Sequence, residues 1–462
     1  MQTTSTLSVA SRLDRLPILP FHKYILVLVG AGLFFDAFDI YLANTVLSAL
    51  VDEGWATIGQ SAAFLSATAF GMLVGSIAAG VLGDLYGRKF TYQFNLLIFG
   101  LSSIACAFMP SMKLLIATRF LTGVGLGAEL VIGYGLLSEF IPPRYRGRWA
   151  ALLSCLTQTG LLAATLCGWF VIPTIGWRPM FIIAGVGGLI VFVARKNIPE
   201  SPRWLEKKGR LVEANAVVSA IESQASGTPD SAFGQGKVQT STSSHKLSPF
   251  DARFRKPLAI GAMTQVVQSA SVYGFLALLP TFLVEQGIPI NQSLGQSVLM
   301  TLGGPVGAFV AFLLADRIGR KPSIVYGSLL TAACGLSFAL VKSQILATGL
   351  GFLLFCHVYF LVAVVQAGYL PELFPTQVRM RLTSWAVTAG RLASIGIPFA
   401  AVFIKHAGGM LALLSAIGGL LVFQALVMLF MAVETSRKSL ESIELEATAP
   451  DLVNPAKASS ME

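Results

Sequence analysis

The chain has 462 residues, 54% of them hydrophobic and only 12% charged, with a mean hydropathy of +0.71. A water-soluble domain carries about twice that share of charged residues, so the composition excludes an ordinary soluble protein. The net charge of +10 does not imply a nucleic-acid partner, because the cations are sorted by loop rather than gathered on one face.

In chain order, residues 1–23 are polar and read as a mobile cytoplasmic tail. Twelve apolar runs follow, near 24–46, 61–82, 90–109, 114–138, 149–171, 178–195, 257–284, 293–315, 323–341, 345–370, 382–403 and 408–433. Each is long enough to cross a hydrocarbon core roughly 30 Å thick. Inside lipid every backbone polar group must be paired within its own segment, so the runs are expected to be helices. The first run is too long for a removable signal peptide and lacks a small-residue cleavage site. The fold class is therefore an all-α membrane protein of twelve transmembrane helices.

Of the 33 Lys and Arg, 27 fall in segments on one side once the N-terminus is placed in the cytoplasm. Four fall in outer loops (Lys113, Arg178, Lys342, Lys405) and two within spans (Arg119, Arg391). That asymmetry follows the positive-inside rule and puts both termini in the cytoplasm. The localisation expected is the plasma (bacterial inner) membrane.

The polar segment 196–256 divides the spans six and six, giving bundles at 24–195 and 257–433 and a tail at 434–462. The middle of this segment, rich in Ser, Thr, Gly and Gln, reads as a flexible cytoplasmic linker. The stretch before it, after its prolines, has the pattern of a short helix.

The two halves repeat each other. Asp84, Gly87, Arg88 and Lys89 of "GDLYGRK" return as Asp316, Gly319, Arg320 and Lys321 of "DRIGRK" at an offset of 232. Glu139 and Arg146 of "EFIPPRYRGR" return as Glu372 and Arg379 of "ELFPTQVRMR" at an offset of 233. Two independent echoes at nearly one offset indicate a duplicated six-span unit. Gly83, Gly87 and Gly319 suit tight turns between helices. The turn reads as a cytoplasmic gating motif, a latch made in one conformation and broken in another; a plain positive-inside turn is the alternative.

With these motifs, the chain resembles the major facilitator superfamily. "GVLGDLYGRK" is similar to its loop between helices two and three, "LADRIGRK" to the second-half copy, and "RFLTGVGLGAEL" to its fourth-helix motif. "PESPRWL", residues 199–205, is similar to the element after helix six in sugar-porter and related metabolite carriers. The resemblance spans about residues 25–435. It implies two pseudo-symmetric six-helix bundles, alternating access and a functional monomer. "FFDAFDIYL" and "RLTSWAVTAGRLASIGIP" resemble helices one and eleven of proton-coupled metabolite and aromatic-acid symporters.

Ionisable groups within spans are expensive and become functional candidates by default. Asp36 and Asp39 lie on one face of the first span, at i and i+3. Two carboxylates crowded in a low-dielectric site resist ionising together, which suits them, with Glu129, to proton coupling; a static pair with a cation is the structural alternative. Arg391 is the expected substrate ligand, since a guanidinium keeps its proton and its fork matches a carboxylate; a standing salt bridge to an acid of the first half is the alternative. His357 is expected at the substrate site as a proton relay, with a packing role as the alternative, and Gln265, Gln268, Tyr273, Tyr359 and Gln366 are expected to complete a cavity of mixed polarity. Phe34, Phe35 and Phe38 flank the acids and offer aromatic faces, while Arg119, near the outer end of the fourth span, can snorkel.

No nucleophile–base constellation or metal spacing is present, so no enzyme, cofactor or metal site is expected. The glycines of "TGVGLGAELVIGYG" follow no strand and lie within a span, where they serve close helix packing. Without a phosphate-binding loop, energy is expected to come from a gradient, with a passive carrier as the alternative. The expected function is proton-coupled uptake of a small organic anion, an aromatic or heterocyclic monocarboxylate. A sugar, polyol or phosphate symporter, a drug exporter and a non-transporting sensor of the same fold stay open.

Overall fold

The computed structural model describes residues 9–225, 250–285, 287–374 and 378–435. The middle of the expected linker, 226–249, and the tail beyond 435 lie outside the described residues. The chain order is α1 (Val9–Arg15), α2 (Pro20–Asp52), α3 (Ile58–Leu85), α4 (Arg88–Ala107), α5 (Met112–Phe140), α6 (Pro143–Ile175), α7 (Arg178–Ala194), α8 (Pro202–Lys207) and α9 (Leu211–Glu222). Beyond the linker come α10 (Arg255–Gly274), α11 (Leu279–Glu285), α12 (Ile290–Thr301), α13 (Gly303–Ile318), α14 (Arg320–Leu340), α15 (Gln344–Ala363), α16 (Leu370–Glu372) and α17 (Arg379–Met431).

Among the described residues, eleven helical segments are long and apolar enough to cross a membrane. The last of them, α17, has 53 residues. At 1.5 Å per residue it would run about 80 Å, more than twice a hydrocarbon core. Its backbone is broken at Gly409, where φ is 72°, a conformation open to glycine and strained for other residues. The broken helix supplies the eleventh and twelfth spans, so the expected twelve are present. The second half is the less regular one. Its first span is interrupted by a 3-10 turn at Leu276–Leu278, and α15 runs on into a π-helical turn at Val364–Tyr369.

The duplication read from the loops extends into the helix contacts. A Cβ on Gly71 would lie 2.1 Å from the Phe120 carbonyl oxygen, and one on Gly75 1.9 Å from that of Val124. The second half repeats this with Gly303 at 2.2 Å from the Phe352 oxygen and Gly307 at 2.0 Å from that of Cys356. All four positions and all four oxygens are related by 232 residues. Each pair of glycines brings one helix backbone directly onto another, α3 on α5 and α13 on α15. No larger residue permits that approach.

The chain forms two compact units. The first comprises Met1–Ile40, Phe70–Gly160 and Arg178–Ser244; the second comprises Tyr41–Ala69, Leu161–Trp177 and His245–Glu462. Helices α2, α3 and α6 thus contribute to both. In the first unit α4 packs on α5 and α7; in the second, α10 and α14 pack on α17, and α13 and α14 on α15.

Residues 9–23 depart from the mobile tail expected of them. Val9, Leu13 and Leu16 recur at helical spacing and are at most 3% exposed, sharing a core with Trp204, Leu205, Ala214, Val218 and Ile221 of α8 and α9. Arg12 bonds Glu222 and Asn215, and Asp14 pairs with Arg203. A short amphipathic stripe, too brief to stand out in a polar tail, becomes ordered once two further short helices cover it.

Candidate functional site

The two copies of the charged turn are built alike. Gly87, with φ 103°, precedes α4, and Gly319, with φ 102°, precedes α14. The first N–H groups of a helix have no partner within it. At α4 the Glu200 carboxylate takes the N–H of Arg88 at 2.9 Å and that of Lys89 at 3.2 Å. At α14 the Glu434 carboxylate takes the N–H of Arg320 at 2.9 Å and that of Lys321 at 3.1 Å. Each carboxylate also lies at the positive end of the helix dipole.

The arginine side chains turn toward the second acid of each motif. Arg88 meets Glu139 at 3.3 Å, and Arg320 meets Glu372 at 3.3 Å. A Cβ on Gly87 would fall 2.2 Å from Glu200 Oε2, so this glycine supplies both the backbone conformation and the room. Glu200 and Glu434 were not among the expected site residues. Their signal was present as a further echo, "ESPR" against "ETSR", at an offset of 234. The side chains of Asp84, Arg146, Asp316 and Arg379 lie outside the described residues.

The three expected proton-site acids have three different environments. Asp39 is fully buried against Arg119, Oδ2 to Nη1 at 2.6 Å, with Ser103 Oγ donating to Oδ1 at 2.9 Å. Arg119 is itself 0% exposed and does not snorkel, because Asp39 and the ring of Phe181 meet it inside the unit. Glu129 pairs with Arg195 at 2.7 Å, both about 1% exposed. By spacing, Arg195 belonged with the loop cations; the structure turns it inward, where it also donates to the carbonyls of Leu28 and Val29. Its guanidinium lies 4.0 Å from the Tyr92 ring centroid.

Asp36 is the exception. It is 2% exposed, and neither carboxyl oxygen has a hydrogen-bond partner. An ionised carboxylate in such surroundings is costly, and a proton removes the cost. Phe34, Phe35 and Phe38 pack edge-on or tilted against one another, and Phe35 fills the space left by Gly187.

The expected substrate residues fall in the second unit and only partly converge. Tyr359 donates to Tyr41 Oη at 2.7 Å, and Tyr273 lies within electrostatic reach of both. Arg391, half-buried on α17, lies within reach of Tyr273. It is held there by a close helix crossing in which Gly390 abuts Gln265 and its carbonyl accepts from Ser269 Oγ at 2.9 Å. Gln268 donates to the Leu361 carbonyl, while Gln268 Oε1 and Gln265 Nε2 are buried without partners. His357 stands apart from this group. Its Nδ1 meets the Leu353 carbonyl of its own helix at 2.7 Å, two residues and so roughly 200° around α15 from Tyr359. Gln366 is exposed on the π-helical turn. Tyr41, on the first span, was not anticipated.

The sequence profile described as "Sugar (and other) transporter" matches residues 25–447. The inner membrane metabolite transport protein YdjE of Escherichia coli is 32% identical over 94% of this chain and 98% of its own length. The niacin transporter NiaP of Acinetobacter baylyi is 32% identical over 95% of this chain and its full length. Among solved structures, the partially occluded inward-open xylose transporter XylE of E. coli superposes with a TM-score of 0.74, covering 91% of this chain and 99% of XylE at 18% identity.

Proposed function

We propose that this chain, which belongs to the sugar (and other) transporter family of the major facilitator superfamily, is a secondary active carrier that takes up a small organic anion with protons. Alternating access would move the anion across the plasma (bacterial inner) membrane, with both termini cytoplasmic and the monomer as the working unit. The observation that carries the reading is Asp36, an acid buried in a membrane helix with both oxygens unpaired. Such a group is stable when protonated and costly when bare, the property a proton carrier needs.

The anion is assigned to the second unit. Arg391 is permanently cationic, and its planar fork matches a carboxylate. Tyr273, within its reach, and the Tyr359–Tyr41 pair near Tyr273 supply aromatic faces and hydroxyls, which favours an aromatic or heterocyclic monocarboxylate. NiaP, a full-length relative, is a niacin transporter. A sugar or polyol is the second reading, supported by the unpaired Gln265 Nε2 and Gln268 Oε1, which suit hydroxyl groups.

The test is reconstitution in liposomes with an inward proton gradient and a panel of nicotinate, benzoate, hydroxybenzoate, gluconate, glucose and phosphate. Uptake of one aromatic carboxylate, abolished by a protonophore and by Arg391→Gln, is the expected result. Uptake of glucose or phosphate alone would overturn the anion assignment and leave the family assignment standing.

A further inference from the structure

Arg195 ends the sixth span, and its guanidinium reaches back to α2, α4 and α5. It holds Glu129 Oε1 at 2.7 Å, the Leu28 and Val29 carbonyls, and the face of Tyr92. The room for this comes from Gly32. A Cβ there would lie 2.1 Å from Arg195 Nη2 and 2.2 Å from Glu129 Oε1. The ion pair therefore rests directly on α2 at Gly32.

Asp36 lies four residues further along α2, on the same face. Helical side chains lean toward the N-terminus of their helix, so the Asp36 carboxyl is directed back toward the gap at Gly32 and the pair seated there. Glu129, Arg195 and Asp39 are all within its electrostatic reach. The titratable and charged groups facing this place are Asp36 and Asp39 from α2, Tyr92 from α4, Glu129 from α5 and Arg195. Asp39 is already occupied by Arg119. Four oxygens around Arg195 make no hydrogen bond: both of Asp36, Oε2 of Glu129 and the neighbouring Tyr92 Oη. One cation thus faces two carboxyl groups and satisfies one of them.

We propose that Asp36, Glu129 and Arg195 form a proton-exchange site in which a single guanidinium serves two acids in turn. With Asp36 protonated, Arg195 holds Glu129, the arrangement observed. When the proton leaves Asp36 for water, the carboxylate left behind draws on the same guanidinium, and the Glu129 contact loosens. Arg195 is a positioning residue in this scheme, since it decides which acid is free to take the next proton. It also stands five residues before Glu200, whose carboxylate caps α4, so a change of partner at Arg195 is passed along one 3-10 turn to that cap. The inference deepens the proton-coupling reading and rests on it.

Infrared spectroscopy of the full-length protein in detergent tests it without any substrate, through the C=O stretch of a protonated buried carboxyl. At neutral pH the band is expected in the native protein and in Asp39→Asn, and lost in Asp36→Asn. Glu129→Gln frees Arg195 for Asp36, so the band disappears at the pH where the native protein keeps it. Arg195→Gln leaves two acids without a cation and strengthens the band, and Arg195→Lys restores the native spectrum. A band that survives Asp36→Asn, or one that ignores Glu129→Gln, overturns the proposal. Asp36→Asn breaks no observed hydrogen bond and so reports even where the ion-pair variants do not fold. Gradient-driven uptake without this spectral pattern would move coupling to Asp39 and Arg119 and end the inference. The pattern without uptake would support the exchange site while ending the transport reading.

Discussion

Two charge sites lie three residues apart on α2, and they differ in how completely they are closed. Asp39 has a cation, a hydroxyl and no exposure; Asp36 has neither partner and almost no exposure. Both sit in the same unit and on the same helix, so depth in the membrane does not distinguish them. The supply of cations does. Arg119 points at Asp39, while Arg195, the other buried guanidinium among the described residues of this unit, is committed to Glu129. A closed pair can stand as a structural joint, whereas an acid left over beside a committed cation can change its charge.

The largest effect should come from opening the closed pair. Arg119→Ala strands a buried carboxylate and should cost about 3–5 kcal/mol, read as thermal unfolding in detergent. Replacing both partners, as in Asp39→Asn with Arg119→Met, should recover most of that loss. If the single variant unfolds like the native protein, the pair is not closed in solution.

Gly32→Ala places a methyl group inside the Glu129–Arg195 pair and should cost about 1–3 kcal/mol. Its neighbour Gly30, which faces the Leu156 side chain, serves as the control for a glycine in the same helix that touches no charge. Equal losses at the two positions would mean that helix packing, and not the ion pair, fixes Gly32.

The two charged turns extend the comparison to the repeat. Arg88 and Arg320 are partly exposed and hold their acids at the same 3.3 Å. Each changed to Ala should cost no more than about 1 kcal/mol, because solvent-screened pairs contribute little. Uptake assays on the two variants would show whether the copies are equivalent; a loss confined to one copy would break the functional symmetry while leaving the structural one.

Asp36→Asn should have the smallest effect on stability, since it removes no hydrogen bond, and a large effect on coupling. Gradient-driven accumulation should be lost while exchange of substrate across the liposome membrane continues. Accumulation retained by this variant would remove Asp36 from the proton path.

Much of the fold was legible along the chain. Twelve apolar runs gave the spans, and the echoes at 232 and 233 residues gave the repeat, which reappears in the glycine contacts of α3 and α13. The turn acids Glu139 and Glu372 were legible for the same reason. Glu200 and Glu434 were visible only as a faint third echo, because their task, capping a helix more than a hundred residues away, leaves no local pattern. Arg195 looked like a loop cation at the end of a span. Nothing in its neighbours tells whether such a side chain turns to water or inward. His357 looked central by depth, yet depth says nothing of which way around a helix a residue faces.

What the sequence alone determined is whatever lipid demands of it: apolar length, helical pairing of the backbone, the sorting of cations to one side, and the duplicated plan. These are set residue by residue or over one helix length. What only the tertiary structure decided is the pairing of charges. Asp39 takes its arginine from 80 residues away and Glu129 takes its own from 66. Asp36 is left without one because Gly32 admits a single guanidinium to that face of α2. Two aspartates that are interchangeable in sequence became different in chemistry, because the energy of a buried charge depends on what three or four helices bring to it.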